Sequence, residues 1–330
     1  MKKSSTLKFL IISTSVSFLV IIFALIFFWQ PKPELELTVS VFDGQFCALI
    51  FYAEHLNLFN DERLKVDYSY FDAGINSVDD LLAGNADLAT AAEFVAVNYI
   101  WLNPELRILS TIATGDVNSI IYKKDVDLAS PDKKRIGITL ESQADFFFQR
   151  FLVYNDLSQE SFEVIDTNPS DMLEELKQEQ LDGVVVWEPF VNKIIMALKE
   201  EVTHESVQAG QDLYFLLFSK ESIVEKKAEQ IKRFLNALVK AQRYKEKNGD
   251  DFRAYLTEHF KMTDDQLERT IENVDFSVSL SQGLLQAMEA EARWCIKSGT
   301  CKDISLPNYL DYLVSKYLLE INPDKVFLYQ

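Results

Sequence analysis

The sequence predicts a two-lobed α/β protein that follows one N-terminal transmembrane helix. Runs typical of strands alternate with helical patterns from residue 35 onward. The alternation restarts after a polar stretch that ends in Ser130, Pro131 and Asp132, and the first 29 residues contain a long apolar run without charge. Hydrophobic residues make up 48% of the 330, which is enough for a large core.

The charge and the cysteine and histidine counts exclude several classes of protein. The chain carries 33 Lys and Arg against 51 Asp and Glu, a formal net charge of -18. Such a field repels phosphate backbones, so no nucleic-acid partner is expected. Three Cys exclude a disulfide-built scaffold, and three dispersed His have no metal-ligand spacing. We therefore expect neither a metal nor a cofactor.

The N-terminal segment predicts a single-pass anchor in the cytoplasmic membrane. The run Phe9–Trp29 has about 21 uncharged residues, long enough to cross roughly 30 Å of hydrocarbon as a helix. Lys residues precede it and Glu34 follows, which puts residues 1–8 in the cytoplasm and the body outside. Residues 30–36 form a linker. A cleaved signal peptide is the alternative, but Phe27 to Pro31 contains no small-x-small cleavage site.

The body divides into two series of elements. In the first series we predict strands at Leu35–Val41, Leu64–Phe71, Leu88–Ala92 and Leu106–Ala113, and helices at Ala48–Phe59, Ser77–Ala83 and Phe94–Leu102. In the second series we predict strands at Arg135–Leu140, Phe162–Asp166 and Val184–Trp187, and helices at Gln143–Tyr154, Asp171–Gln178 and Val191–Glu200. Leu213–Ser219 is predicted to be a strand that returns to the first lobe. From Ile223 the chain is predicted to be helical, without a further strand.

Two stretches repeat one pattern. Residues 81–87 and 176–182 each place a helix end, a short turn and an Asp directly before a buried strand. The pattern fits an internal repeat of two lobes. It equally fits two unrelated helix-to-strand turns.

Ligands of open α/β sheets bind at the carboxyl ends of the strands, and this rule selects the candidate site residues. Each candidate directly follows a predicted strand. They are Asp43, Gln45 and Phe46; Glu93 and Phe94; Thr114 and Asp116; Ser142 and Gln143; and Trp187 and Glu188.

Ser142 and Asp145 form a predicted capping box at a helix start. Free N–H groups there could hold a carboxylate or sulfonate, and a plain helix cap is the alternative. None of the three His residues accompanies a nucleophile motif, and phosphate-binding and zinc-protease motifs are absent from the sequence. We therefore do not expect an enzyme.

Cys295 and Cys301 flank Gly299 at a predicted helix end. In an oxidising compartment they could form a disulfide that closes a small loop; two buried thiols are the alternative. Cys47 would remain free and packed at the edge of the cleft.

Four motifs in order resemble the periplasmic solute-binding proteins of ABC importers for sulfonates, taurine, nitrate and pyrimidine precursors of thiamine. The resemblance covers about residues 36 to 320. The matching stretches are Ala48-x-x-Phe51-Tyr52-Ala53 through Phe59, Leu82-Ala83-Gly84 through Ala89, Lys134-Arg135-Ile136-Gly137-Ile138, and Leu181-Asp182-Gly183 through Trp187-Glu188-Pro189.

The resemblance implies a type II periplasmic binding protein fold, with two lobes, two crossing segments and a helical C-terminal part. Lobe 1 would comprise residues 37–122 and 222–330, and lobe 2 residues 123–221. Phe46 and Trp187 would stack on a small-molecule ligand. Hydrogen bonds would come from Gln45, Thr114, Ser142 and Gln143.

Departures from the family pattern restrict the range of possible ligands. Asn57 and Glu141 stand where the family has glycine. The acidic side chains Asp43, Glu93, Asp116, Glu141 and Glu188 would crowd the cleft and repel an anion. We therefore expect a neutral or cationic ligand, such as a pyrimidine or amine, delivered to an ABC permease. A ligand sensor that signals to a membrane partner and a pyrimidine-forming enzyme are the alternatives.

Overall fold

A computed structural model describes residues 34–301 and 305–328. The predicted anchor at 9–29, the cytoplasmic tip at 1–8 and most of the linker lie outside the described residues. Within those two ranges, no helix is both long and apolar enough to cross a membrane. The described residues from Glu36 onward form one compact unit, built on a six-stranded and a five-stranded sheet.

The first sheet has the strand order β11-β4-β10-β3-β1-β2. Its strands are β1 (Leu35–Phe42), β2 (Leu64–Phe71), β3 (Leu88–Ala92), β4 (Leu106–Gly115), β10 (Leu213–Lys220) and the two-residue β11 (Val274–Asp275). Leu37, Val39 and Val41 alternate along β1 and are buried, as a strand facing a core requires. β1 runs parallel to β3, whereas β10 is antiparallel to both β3 and β4.

The second sheet has the strand order β7-β6-β8-β5-β9. Its strands are β5 (Asn118–Lys123), β6 (Lys134–Ile138), β7 (Phe162–Asp166), β8 (Gly183–Trp187) and β9 (Val202–Ser206). β6 is parallel to β7 and β8, and β5 is antiparallel to β8 and β9. Strand β9 was not predicted, because its side chains are mostly exposed and the run has no apolar alternation.

Helices cover the sheets and form most of the C-terminal part. They are α1 (Ala48–His55), α2 (Leu58–Asp61), α3 (Gly74–Leu82), α4 (Glu93–Tyr99), α5 (Gln143–Tyr154), α6 (Met172–Lys177), α7 (Phe190–Leu198), α8 (Glu221–Lys226), α9 (Ala228–Lys247), α10 (Gly249–Phe260), α11 (Asp264–Asn273), α12 (Gln282–Ser298) and α13 (Lys316–Ile321). The prediction that no strand follows Ile223 was wrong. β11, β12 (Leu280–Ser281) and β13 (Val326–Phe327) are strands of two residues each. Such short strands have no periodic pattern to detect.

Two segments connect the sheets, between β4 and β5 and between β9 and β10. The fully buried side chain of Gln208 joins them. Its Oε1 accepts the N–H groups of Val117 at 2.6 Å and Asn118 at 2.9 Å, and its Nε2 donates to the carbonyls of Gly115 at 3.0 Å and Gln211 at 2.7 Å.

The sheets divide the chain at different points from the predicted lobe boundaries. β5 would fall in lobe 1, yet it pairs with strands of the second sheet. β10 would fall within residues 123–221 of lobe 2, yet it pairs with strands of the first sheet.

Two non-glycine residues have a left-handed backbone at positions where the family has glycine. Asn57 has φ 60° between α1 and α2, and Glu141 has φ 59° before α5. Asn tolerates this conformation because its short side chain can hydrogen-bond locally, whereas Glu has no such compensation. The backbone geometry that glycine favours is therefore kept even though glycine is not.

Cys295 in the last turn of α12 forms a disulfide with Cys301, three residues beyond the end of the helix. Cys47 is a free, fully buried thiol, 3.3 Å from Oγ1 of Thr90. Burial raises the pKa of the Cys47 thiol to about 12, so the thiolate that reacts with oxidants is scarce.

Candidate functional site

A cavity of about 320 Å³ lies between the carboxyl ends of β1 and β8 and contains many aromatic side chains. We call it the aromatic cavity. The first sheet and its helices contribute Phe42, Asp43, Gly44, Gln45, Phe46, Asp72, Phe260, Met262, Gln266 and Thr270. The second sheet contributes Trp187, Glu188, Pro189, Phe190 and Asn192. A molecule held here would contact both sheets.

Phe46 and Trp187, the two predicted stacking residues, both line the aromatic cavity. Phe46 is 5% exposed and stacks on Phe215, with ring centroids 5.2 Å apart. One face of Phe46 is thus already covered. Trp187 meets Phe190 edge to face at 6.3 Å, which leaves its faces free of that neighbour.

Gln45 is positioned by a short 3-10 turn, Gln45–Cys47, directly after β1 and Gly44. Its Oε1 accepts a hydrogen bond from Oγ1 of Thr270 at 3.3 Å. This contact links the loop after β1 to α11. Gln45 therefore lies in the aromatic cavity and contacts a second lining residue, Thr270.

A second cavity, of about 210 Å³, shares Gln45, Glu188 and Thr270 with the first. We call it the polar cavity. Nη1 of Arg269 lies 3.2 Å from Nε2 of His204, and burial together with the Arg269 charge lowers the pKa of His204. Both carboxylate oxygens of Asp116 accept from Oγ of Ser206, at 2.6 and 2.7 Å.

Carboxylates outnumber cations around the two cavities. The acidic lining residues are Asp43, Asp72, Asp116, Glu188 and Glu205, against the guanidinium of Arg269. Burial raises the pKa of both Asp116 and Glu188. An anion placed among these groups would meet repulsion from most sides.

Glu93 and Gln143 meet away from both cavities, at the carboxyl group of Glu291, which sequence analysis did not select. Glu93 and Glu291 are both fully buried and face each other within hydrogen-bonding reach. Nε2 of Gln143 donates to Oε1 of Glu291 at 3.4 Å. Burial raises the pKa of Glu93 to about 8, and burial and the neighbouring Glu93 raise that of Glu291 well above its usual range.

The remaining candidate residues have other surroundings. Thr114 lines a separate cavity beside Lys245 and Phe252. Ser142 caps α5, because its Oγ accepts the N–H of Ala144 at 3.2 Å. This is the plain helix cap, the alternative to an anion site. The prediction of a full capping box was wrong, because the Asp145 carboxylate accepts the N–H of Glu141 and not that of Ser142.

Phe94 and Glu141 also differ from expectation. Phe94 is buried against Trp294, with ring centroids 6.1 Å apart, and packs into the core beside the second sheet. Glu141 is exposed and lines neither the aromatic nor the polar cavity. The acidic lining therefore comes from other residues than Glu141.

Several lining residues escaped sequence analysis because they lie on C-terminal helices and not after a strand. Thr270 and Arg269 on α11 reach the cavities through the packing of that helix. Glu291 did leave a signal in the sequence. It falls between Met288 and Cys295 on the buried stripe of α12, where a charged residue breaks the apolar spacing.

The fold is that of the periplasmic binding proteins, and solved structures of this kind resemble it over most of its length. The aliphatic sulphonate binding protein SsuA from Escherichia coli has 12% identity and a TM-score of 0.71, over 87% of this chain and 100% of that chain. The MOPS-bound alkanesulfonate-binding protein SsuA from Xanthomonas axonopodis pv. citri has 16% identity and a TM-score of 0.65, over 86% and 99%. A Candida albicans protein with the generic periplasmic binding protein fold has 14% identity and a TM-score of 0.63, over 89% and 98%.

The chain belongs to the NMT1/THI5-like family, whose model matches residues 46–250. This match spans more than half of the chain and confirms the resemblance inferred from the sequence motifs. No curated protein sequence matches the chain.

Proposed function

We propose that the chain is an extracytoplasmic solute-binding protein that closes two lobes on a small organic molecule and delivers it to an ABC permease. One observation carries the proposal: the aromatic cavity takes its lining from strand ends of both sheets, with Gln45 from one and Trp187 from the other. In open α/β sheets this edge is where ligands bind. Membership of the family supports the same conclusion.

We further propose lobes that follow the sheets. The crossings then lie between Gly115 and Asn118 and between Ser206 and Leu213, a few residues earlier than the sequence-based boundaries at 122 and 221. Gln208 would hold the two crossings side by side, so the lobes would turn about one joint.

The acidic lining supports a neutral or cationic solute, such as a pyrimidine or an amine, over a sulfonate. The carboxylates around both cavities disfavour an anion, and Trp187 offers an aromatic surface for a ring. Calorimetric titration of the purified chain with taurine, an alkylsulfonate, nitrate and an aminopyrimidine tests this. Binding of the sulfonates alone would contradict the proposed solute class.

Replacement of Trp187 tests the site itself. Trp187→Ala should weaken binding of the solute about tenfold or more, because a stacked ring contributes on the order of 1 kcal/mol beyond its buried area. Leu102→Ala is the control, since Leu102 is 80% exposed and lines neither cavity. Equal affinity in both variants would remove the aromatic cavity from the function.

Membrane tethering through residues 9–29 is part of the proposal. The full-length chain should stay in the membrane fraction after alkaline extraction, and a variant without residues 1–33 should be released. Affinity capture of the tethered protein then identifies its partner. A permease supports transport, whereas a sensor kinase or receptor supports a signalling role.

A further inference from the structure

Two carboxyl groups and one amide, from three helices, meet in the interior without a cation. Glu93 is the first residue of α4, directly after the carboxyl end of β3. Glu291 lies on α12, and Gln143 is the first residue of α5 beside the second sheet. We propose that Glu93 and Glu291 bind the protonated nitrogen of the solute, and we call these two side chains the acid pair. This inference rests on the proposed solute-binding function.

The acid pair has unused hydrogen-bonding capacity. Both side chains are fully buried, and Oε1 and Oε2 of Glu93 and Oε2 of Glu291 have no well-aligned hydrogen bond from a donor among the described residues. The backbone N–H groups of Tyr214 and Glu93 and the amide of Gln143 lie near the Glu93 carboxylate. A primary ammonium group has three N–H donors. It would supply one donor for each of these three oxygens.

The titratable neighbours cannot neutralise the acid pair. Tyr214 on β10 faces Glu93, and Tyr309 on a 3-10 turn faces Glu291; the hydroxyl of Tyr309 is buried and also has no partner in the described structure. On α12 itself, Glu289 is exposed and adds negative charge. Within residues 34–301 and 305–328, no Lys, Arg or His forms an ion pair with Glu93 or Glu291.

Without a cation, two neighbouring buried carboxyl groups retain at least one proton, because two unscreened negative charges cannot persist side by side. An ammonium group supplies the missing positive charge and makes that proton unnecessary. Binding is therefore an exchange: the solute ammonium enters, and a carboxyl proton leaves to the solvent. No covalent bond of the solute forms or breaks.

The acid pair lines neither cavity, and β10 connects it to the lining of the aromatic cavity. Phe215 on β10 pairs with Ala92, the residue before Glu93, and stacks on Phe46 of the cavity lining. Gln143 approaches from the second sheet and reaches Glu291, so the acid pair is enclosed when the two sheets are together. A solute with an apolar or aromatic body and a primary amine matches both features.

Matched amine and alcohol probes test the inference on the full-length chain. Benzylamine is compared with benzyl alcohol, and 5-(aminomethyl)pyrimidin-4-amine with its hydroxymethyl counterpart. Titration calorimetry at pH 7 in phosphate and in Tris separates proton release from binding, because the two buffers differ in ionisation enthalpy. We expect the amines to bind at least about tenfold more tightly than the alcohols and to release up to about one proton.

Glu93→Gln and Glu291→Gln should each weaken the preference for the amine, and the double variant Glu93→Gln/Glu291→Gln should lose both the preference and the proton release, because each single variant keeps one buried carboxyl. Glu289→Gln, two residues from Glu291 and exposed on the same helix, should keep both. In the wild-type chain, amine affinity should rise by up to about tenfold per pH unit from pH 6 toward 8, as proton competition declines. This pH series needs no variant, so a Gln variant that fails to fold does not remove the test.

Three results would overturn the inference. Equal binding of amine and alcohol, or amine binding without proton release, would leave the acid pair outside recognition while the solute-binding function stands. Native mass spectrometry of the chain purified from its producing cells provides the third. A bound solute without a basic nitrogen contradicts the acid pair alone, whereas no bound solute and no binding of any probe contradicts the proposed function as well.

Discussion

The side-chain oxygen of Gln208 accepts the backbone N–H of Val117 at 2.6 Å and thereby joins the two segments that cross between the sheets. The same side chain contacts three further backbone groups of these segments. All of this lies in the interior, where backbone groups need partners. A single amide thus satisfies four polar groups at the proposed joint.

Removal of the Gln208 amide should lower the stability of the folded protein. Gln208→Leu retains the size of the side chain but leaves buried backbone groups unpaired, so we expect a loss of about 2–4 kcal/mol in the free energy of unfolding. Urea denaturation measures the loss. Gln159→Leu, at an exposed position, is the control and should change stability little. Equal effects of the two substitutions would contradict the role of Gln208.

Asp87 and Asp182 have equivalent positions in the two sheets. Asp87 accepts the N–H of Thr38 at 2.9 Å and returns its own N–H to the carbonyl of Thr38 at 3.0 Å. Asp182 does the same with Arg135, at 2.8 and 2.9 Å. The repeated sequence pattern therefore encodes one local structure: an Asp that ties the start of a buried strand to its parallel neighbour.

Substitution of Asp87 should destabilise the protein more than substitution of Asp182, because Asp87 is more deeply buried. Asp87 is 6% exposed and also pairs with Lys227 at 2.6 Å, so Asp87→Asn leaves a partly buried ammonium without its counter-charge. Asp182→Asn loses a more exposed pair with Arg135. We expect a loss of about 2–4 kcal/mol for Asp87→Asn and about 1–2 kcal/mol for Asp182→Asn. Urea denaturation checks the order, and a larger effect at Asp182 would refute the argument.

The alternation of strands and helices could be predicted because each has its own apolar period, as Leu37, Val39 and Val41 illustrate. The strand-end rule selected Gln45, Trp187 and Glu188, and all three line the aromatic cavity. The rule works because the position of a loop after a parallel strand follows from the sheet. Local pattern and sheet geometry account for this part of the cleft.

The rest of the cleft depends on contacts between distant parts of the chain. Arg269 meets His204 only because α11 packs beside the second sheet, and no local pattern encodes that approach. Glu291 shows the same limit. Its place on an apolar stripe signals burial, but its partner Glu93 lies 198 positions earlier and is brought near by tertiary packing.

Glu141 provides a test of backbone strain. Its φ of 59° is unfavourable for a residue with a Cβ, and its exposed side chain lines neither cavity. Glu141→Gly should raise the free energy of unfolding by about 0.5–1 kcal/mol, which is the αL cost less the extra freedom of glycine in the unfolded chain. Asn57→Gly, at φ 60°, should gain less because Asn tolerates this region. Thermal and urea unfolding measure both, and a loss of stability in Glu141→Gly would contradict the assignment of strain.

The acid pair should make the stability of the solute-free protein fall as pH rises. Burial raises the pKa of Glu93 to about 8, above its value of about 4.5 in an unfolded chain, so the folded state binds a proton that the unfolded state releases. The resulting stability is complete below about pH 4.5 and is lost progressively as pH rises toward 8. Glu93→Gln removes this proton and should reduce the slope, for a difference on the order of 1–4 kcal/mol between pH 5 and pH 8, and the slope that remains belongs to Glu291. Urea denaturation at intervals across that range measures it, with Glu289→Gln as the variant that should keep the wild-type slope. If wild type and Glu93→Gln lose stability in parallel, the carboxyl of Glu93 is not protonated in the folded protein, and the exchange of a proton for an ammonium loses its basis.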